Sequence, residues 1–191
     1  MSDSNITKHA LAQALKDLLK TRTLDKVSVG NICEACGMNR KSFYYHFRDK
    51  YDLVNWIYYT EFIARVRDKS YVDGWEIVED LCDYFYENRK FYQNALRTEG
   101  QNSLSDYLRD VLTAIFTEDM ARAFEGEPSI RPYAEFYADA FLCALKKWLL
   151  QKDCRPPHDF AEFLKKCLTG LYRQLASYET APPSSPRDDP S

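Results

Sequence analysis

The chain has 191 residues, 45% apolar and 15% aromatic, a composition of soluble globular proteins with room for one substantial core or two small domains. Its net charge of −3 argues against a generic nucleic-acid coat protein, yet residues 1–50 carry nine Lys and Arg against five Asp and Glu while the rest carries 17 against 24, so a basic end is joined to an acidic body. No apolar run approaches the ~20 residues of a membrane span, and the opening M-S-D-S-N lacks the regions of a secretory signal, so a cytoplasmic location is expected.

In chain order, the first predicted helix runs from about Thr7 to Lys20, with Leu11, Ala14, Leu15, Leu18 and Leu19 at helical spacing. Residues 21–27 read as a short connector. Ser28 is suited to cap a second helix to about Ala35, whose buried stripe is Val29, Ile32 and Cys33. Cys36 and Gly37 end it, because glycine takes a left-handed conformation without a Cβ penalty. Asn39 then caps a third helix.

Placed at roughly 100° per residue, residues 39–48 put Phe43 and Phe47 together, while Arg40, Tyr44, Arg48, Lys41 and Tyr45 follow around the other side. Ser42 and His46 fall between the two faces. Buried phenylalanines anchor such a helix, and the opposite face offers donors that phosphate oxygens and base edges accept. Helix, glycine turn and basic aromatic helix together have the form of a DNA-reading helix-turn-helix.

Residues 5–55 resemble the N-terminal domain of the TetR family of bacterial transcriptional regulators, above all in the run S-F-Y-Y-H-F-R-D-K-Y-D-L, Ser42 to Leu53. The resemblance implies an all-α fold of about nine helices: a three-helix helix-turn-helix domain at 1–49 and a helical regulatory and dimerisation domain at 50–178. It implies phosphate contact at Ser28, major-groove reading by Arg40, Lys41 and Tyr44, and phosphate contacts at Tyr45, His46 and Lys50, with Asn39 and Ser42 in the same DNA-binding set. Lys41 departs from the family pattern, where a small residue is common, and a long cation there should alter the bases read.

Asp49 is expected to cap a long fourth helix, Lys50 to about Lys69, linking the two parts. Gly74 marks a break before a fifth helix, Trp75 to Glu87, and a sixth, Asn88 to Leu96, ended at Gly100. A seventh spans Leu104 to Phe124 before the E-G-E-P turn; an eighth runs from about Pro132 to Gln151 and a ninth from about Asp159 to Tyr178. Residues 179–191, rich in proline and serine, read as a disordered tail. One short recognition helix reads few base pairs, so two held ~34 to 36 Å apart by a two-fold axis are expected on a palindromic double-stranded operator. The family resemblance places the homodimer interface on the last two helices, at Phe141, Leu145, Trp148, Phe163, Leu164, Cys167, Leu168 and Leu171.

Trp75, Tyr84, Phe85, Tyr92, Tyr107, Tyr137 and Phe141 are candidates to line a pocket for a small-molecule effector, although aromatic stripes at helical spacing are more often core. Glu87 to Leu96 and Gly100 to Leu108 are similar to the body of a subgroup that includes regulators of dihydroxyacetone kinase operons, where a regulatory protein partner is the alternative to a metabolite. Cys33 and Cys36 form a single C-x-x-C; with no second pair, zinc is not expected, and the inner side of a helix suits structural cysteines. No cofactor is called for. His9, His46 and His158 fall in separate elements and the six glycines are isolated, so neither a catalytic constellation nor a phosphate-cradling loop is expected. The rival reading is a helical protein-interaction module without sequence-specific DNA binding.

Overall fold

The computed structural model describes residues 3–72, 74–97, 103–120 and 128–179, without the side chains of residues 3, 63, 74, 119, 120, 168 and 171–179. These residues are all-α: α1 (Asp3–Leu18), α2 (Val29–Ala35), α3 (Arg40–His46), α4 (Lys50–Val66), α5 (Gly74–Glu87), α6 (Arg89–Leu96), α7 (Leu104–Met120), α8 (Arg131–Leu150) and α9 (Pro157–Glu179). The predicted stop at Gly100, the glycine turn before Pro128, the stretch of the seventh helix beyond Met120 and the tail from Thr180 lie outside the described residues.

Element edges differ from expectation for local reasons. The first helix opens at Asp3 rather than Thr7, and α9 opens at Pro157 rather than Asp159, a first-turn position where proline forfeits no hydrogen bond. The connector after α1 winds into a 3-10 turn, Leu24–Lys26, closed by Val27 N–H on the Leu24 carbonyl at 3.2 Å and burying Leu24. Asp49 caps α4, its Oδ1 accepting from the Tyr51 and Asp52 amides at 2.8 Å each.

One core runs through the molecule, and α4 belongs to both of its ends. Leu53 and Ile57 pack with Leu11, Leu15, Leu24, Ile32, Phe43 and Phe47, closing the N-terminal three helices from below. The next residue, Tyr58, stacks on Phe62 and Phe85, with ring centroids 5.5 and 5.8 Å apart, and enters the core of the body. Each such burial contributes on the order of 1.5–3 kcal/mol, so α4 cannot shift without disturbing both halves. Around it, α7 lies along α8 and α5 along α9.

The aromatics expected around an effector pocket mostly fill this core. Tyr84, Phe85 and Tyr92 are buried against one another, Phe85 and Tyr92 edge to face at 4.6 Å. Tyr107 closes on Tyr58, Tyr137 and Phe141 both meet Phe116, and Trp75 is half-buried under Lys165 Nζ, 5.8 Å from the ring centroid. The seven divide among separate contacts: Tyr84, Phe85, Tyr92 and Tyr107 gather around Tyr58, Tyr137 and Phe141 around Phe116, and Trp75 stands apart from both.

Candidate nucleic-acid interface

The reading head is assembled by its caps. Ser28 and Asn31 form a reciprocal capping box at the start of α2: Asn31 N–H donates to Ser28 Oγ at 3.1 Å and Ser28 N–H to Asn31 Oδ1 at 3.0 Å. Gly37 makes the turn with φ +68°, a conformation that suits glycine, and Met38 N–H closes it on the Cys33 carbonyl at 2.8 Å. Asn39 Oδ1 then accepts from the Ser42 amide at 2.8 Å and its hydroxyl at 3.2 Å, starting α3. Ser28 and Asn39 therefore stand at adjoining helix starts, where unpaired N–H groups favour anionic oxygens.

α3 ends before the expected residue 48, with Phe47 as its C-cap in extended backbone and Arg48 beyond it. Phe43 and Phe47 are buried while Tyr45 is 83% and Tyr44 58% exposed, and Arg40, Lys41 and Arg48 are exposed. Ser42 and His46 are half-buried at the margin. The Arg40 guanidinium folds back over Gly30 of α2, across a shallow cleft of about 420 Å³ that Ser28, Asn31 and Asn39 also line. Cys33 is buried in the head core, where burial pushes its thiol up, and Cys36 donates its Sγ hydrogen to the Ile32 carbonyl at 3.3 Å. Among the described residues no group of three His, Cys, Asp or Glu is placed to hold a metal.

Lys50 is engaged inside the fold. Its ammonium donates to the carbonyls of Leu24, Val27 and Asp25 at 2.6, 2.9 and 3.3 Å, so its three donors are committed to the turn that follows α1. Burial holds its pKa below the usual lysine value. In this geometry Lys50 locks the turn to α4 rather than presenting a free cation to a phosphate. A cation not foreseen stands nearby: Lys8 Nζ lies 5.9 Å from the ring centroids of both Phe47 and Trp56. It comes from α1, and no local pattern tied it to α3.

Two polar routes join the head to the body. Lys16 of α1 donates to both oxygens of Glu61 on α4 at 2.7 and 2.9 Å, Tyr84 of α5 donates to Glu61 Oε2 at 3.1 Å, and the Tyr84 and Tyr92 hydroxyls meet at 2.5 Å. A carboxylate only accepts, so the Tyr84 proton is committed to Glu61 and Tyr92 must be the donor to Tyr84. The second route is direct: the buried Asn94 amide of α6 donates to the Leu19 carbonyl at the end of α1 at 2.7 Å.

Much of the expected dimer stripe is covered within the single chain. Phe141, Leu145, Trp148 and Leu164 are buried within the single chain, Trp148 stacked on Phe160 at 4.3 Å with its indole N–H on the Arg155 carbonyl. They point inward because α7 and α5 cover that side of α8 and α9. Of the expected set Phe163 and Cys167 are exposed, and the side chains of Leu168 and Leu171 lie outside the described residues. The outward face consists of Phe136, Ala140, Cys143 and Lys147 on α8, at spacings of four, three and four, with Phe163, Cys167 and Gly170 on α9. A cleft of about 410 Å³ runs between the two helices there.

Residues 11–57 match the model of the bacterial regulatory proteins of the tetR family, and residues 73–170 match a transcriptional regulator C-terminal region of the same family. This chain belongs to the TetR family. Over 94 residues, 49% of this TetR-family chain and 50% of the relative, it is 33% identical to the HTH-type dhaKLM operon transcriptional activator DhaS of Lactococcus lactis subsp. lactis (strain IL1403), so the match spans about half of that protein. The fold is shared with the dihydroxyacetone kinase operon activator DhaS, at 20% identity and TM-score 0.58 over 88% of this chain and 96% of that one. A TetR transcriptional regulator from Streptococcus agalactiae 2603V also shares it, at 20% identity and TM-score 0.65 over 84% and 92%. NalD, the secondary repressor of the MexAB-OprM efflux pump in Pseudomonas aeruginosa, aligns at 20% identity and TM-score 0.56 over 90% and 96%. No described helix is long and apolar enough to cross a membrane.

Proposed function

We propose that this TetR-family chain is a sequence-specific regulator that binds a palindromic double-stranded operator as a homodimer, with a head at 1–49 and a regulatory and dimerisation body at 50–178. The observation that carries this reading is the exposed row Arg40, Lys41, Tyr44 and Tyr45 on α3, with Arg48 exposed just past its end, while Phe43 and the capping Phe47 are buried. Its guanidiniums, ammonium and phenols suit base edges and phosphates. Ser28, Asn39, Ser42 and His46 flank that row and serve as phosphate contacts; Lys50 braces the head from behind. The outward apolar face of α8 and α9 supplies the two-fold contact that places two heads on successive turns.

Similarity to DhaS supports a body of that regulator type, responsive to a small effector or a protein partner, and acting in the cytoplasm. Selection of bound duplexes from a random pool by the purified protein, at two salt concentrations, tests the reading. A palindrome with half-sites about one turn apart is expected, with an affinity that falls steeply with salt. Salt-sensitive retention without sequence preference would instead establish an interaction module with a basic face.

A further inference from the structure

With the body aromatics packed on one another, the most distinctive polar concavity on the body lies elsewhere, between α6 and the end of α8. This cleft of about 530 Å³ is lined by Arg89, Lys90 and Gln93 of α6, by Arg97 at its C-cap and by Lys152 beyond α8, with no carboxylate among the described residues that line it. Four cations in one concavity are unexpected in the acidic part of the chain, where Asp and Glu outnumber Lys and Arg 24 to 17. Cations often gather at helix C-termini to offset the dipole, but here that task is already met. Arg89 donates to the Leu149, Gln151 and Lys152 carbonyls and Gln93 to the Leu149 carbonyl at 2.6 Å. Lys90, Arg97 and Lys152 are exposed and form no ion pair among the described residues.

We propose that this cleft is a binding site for a small polyanion, a compact ligand bearing clustered phosphate or carboxylate oxygens, held by Lys90, Arg97 and Lys152 against the fixed guanidinium of Arg89. The volume is that of a small-molecule site, and the floor is rigid because Arg89 and Gln93 are tied to α8. Position gives the site a consequence. Asn94, four residues after Lys90 and three before Arg97, is their neighbour on the helix surface, and it holds the Leu19 carbonyl at the end of α1. An anion drawing Lys90 and Arg97 together bears on α6 at the point where α6 grips the head. This regulatory consequence rests on the operator-binding reading; the binding site itself does not.

Calorimetry with inorganic pyrophosphate and, separately, citrate at constant ionic strength tests the site on three full-length proteins: wild type, Lys90→Ala/Arg97→Ala/Lys152→Ala, and Arg40→Ala/Lys41→Ala in the head. All the substituted side chains are exposed, so helix content serves as the folding check. Expected is saturable binding of one anion per chain, weakened at least about tenfold, or ~1.4 kcal/mol, in the cleft variant and unchanged in the head variant. Which anion binds more tightly separates phosphate from carboxylate ligands. Heats that only track sodium chloride, or binding lost in the head variant and retained in the cleft variant, would overturn the site. On a selected operator, pyrophosphate should change affinity more in wild type than in the cleft variant; equal changes in both would remove the regulatory role while leaving the calorimetry to decide the site.

Discussion

Arg40 of α3 rests its guanidinium on Gly30 of α2 so closely that a Cβ built on Gly30 would stand 2.8 Å from Arg40 Nη2. Glycine within a helix lowers stability by roughly 0.5–1 kcal/mol relative to alanine, and its benefit here is room for the Arg40 guanidinium. The obstructing atom is the tip of a flexible chain, so Gly30→Ala should leave the melting temperature unchanged or slightly raised while moving Arg40. Operator affinity should fall by about 1–2 kcal/mol, within the range of one lost bidentate base contact. Gel-shift titration beside thermal melting checks this; a fall in stability with affinity intact would show that Gly30 serves packing alone.

Tyr44 is exposed on the row beside Arg40 and contributes nothing to the core beyond an edge contact with Phe43 at 5.5 Å. Tyr44→Ala and Arg40→Ala should each weaken specific binding by ~1 to 3 kcal/mol and relax preference at particular base pairs. Folding should be nearly unaffected. Unchanged operator affinity in both variants would sink the assignment of this row as the reading surface.

The direction of the Tyr92, Tyr84, Glu61 chain makes two conservative substitutions unequal. Tyr92→Phe removes the last donor and leaves Tyr84 bonded to Glu61, whereas Tyr84→Phe leaves the wholly buried Tyr92 hydroxyl without its acceptor. An unsatisfied buried donor costs about 1–3 kcal/mol. Tyr84→Phe should therefore destabilise more than Tyr92→Phe in urea unfolding, and the reverse order would mean that the chain runs the other way.

Burial pushes the Cys82 thiol up to about 12 and raises Cys33, while Cys143 and Cys167 are exposed on the outward face of α8 and α9. An alkylating reagent at neutral pH should modify Cys143 and Cys167 first, and Cys33 and Cys82 only after unfolding. If that face is the two-fold contact, raising the protein concentration should protect Cys143 and Cys167. Mass-spectrometric rates that do not change with concentration would place the dimer contact elsewhere.

Asp80 accepts from Lys69 Nζ at 2.6 and 2.7 Å and from the Tyr71 hydroxyl at 2.6 Å. Burial alone would raise its carboxyl, but those hydrogen bonds outweigh it and hold the group below its ordinary value of 3.8. A depressed carboxylate stabilises the fold above the unfolded value, and this is lost as pH falls from about 3.8 through the folded one. Urea midpoints between pH 5 and pH 2 should fall less steeply for Asp80→Asn than for wild type. Parallel curves would assign the acid limb to other carboxylates, among them Glu87, which the Arg65 hydrogen bond also holds low.

The helix-turn-helix and the all-α plan were legible in the residues alone. Ser28, Gly37 and Asn39 act on backbone groups within three or four residues, and Phe43 and Phe47 are both buried at a spacing of four although Phe47 already caps the helix, so no distant partner is needed to read them. The tertiary structure decided everything that depends on what lies opposite. A helical period names a stripe without saying what covers it, and α8 turned Phe141, Leu145 and Trp148 inward under α7 and left Phe136, Ala140 and Cys143 outside. Lys50 met carbonyls 23 to 26 residues earlier in the chain, Lys8 met Phe47 and Trp56, and Asn94 met Leu19 across 75 residues. These contacts join groups with no local relation, because hydrogen-bond donors and aromatic faces find partners by proximity in space, which only the packed helices create.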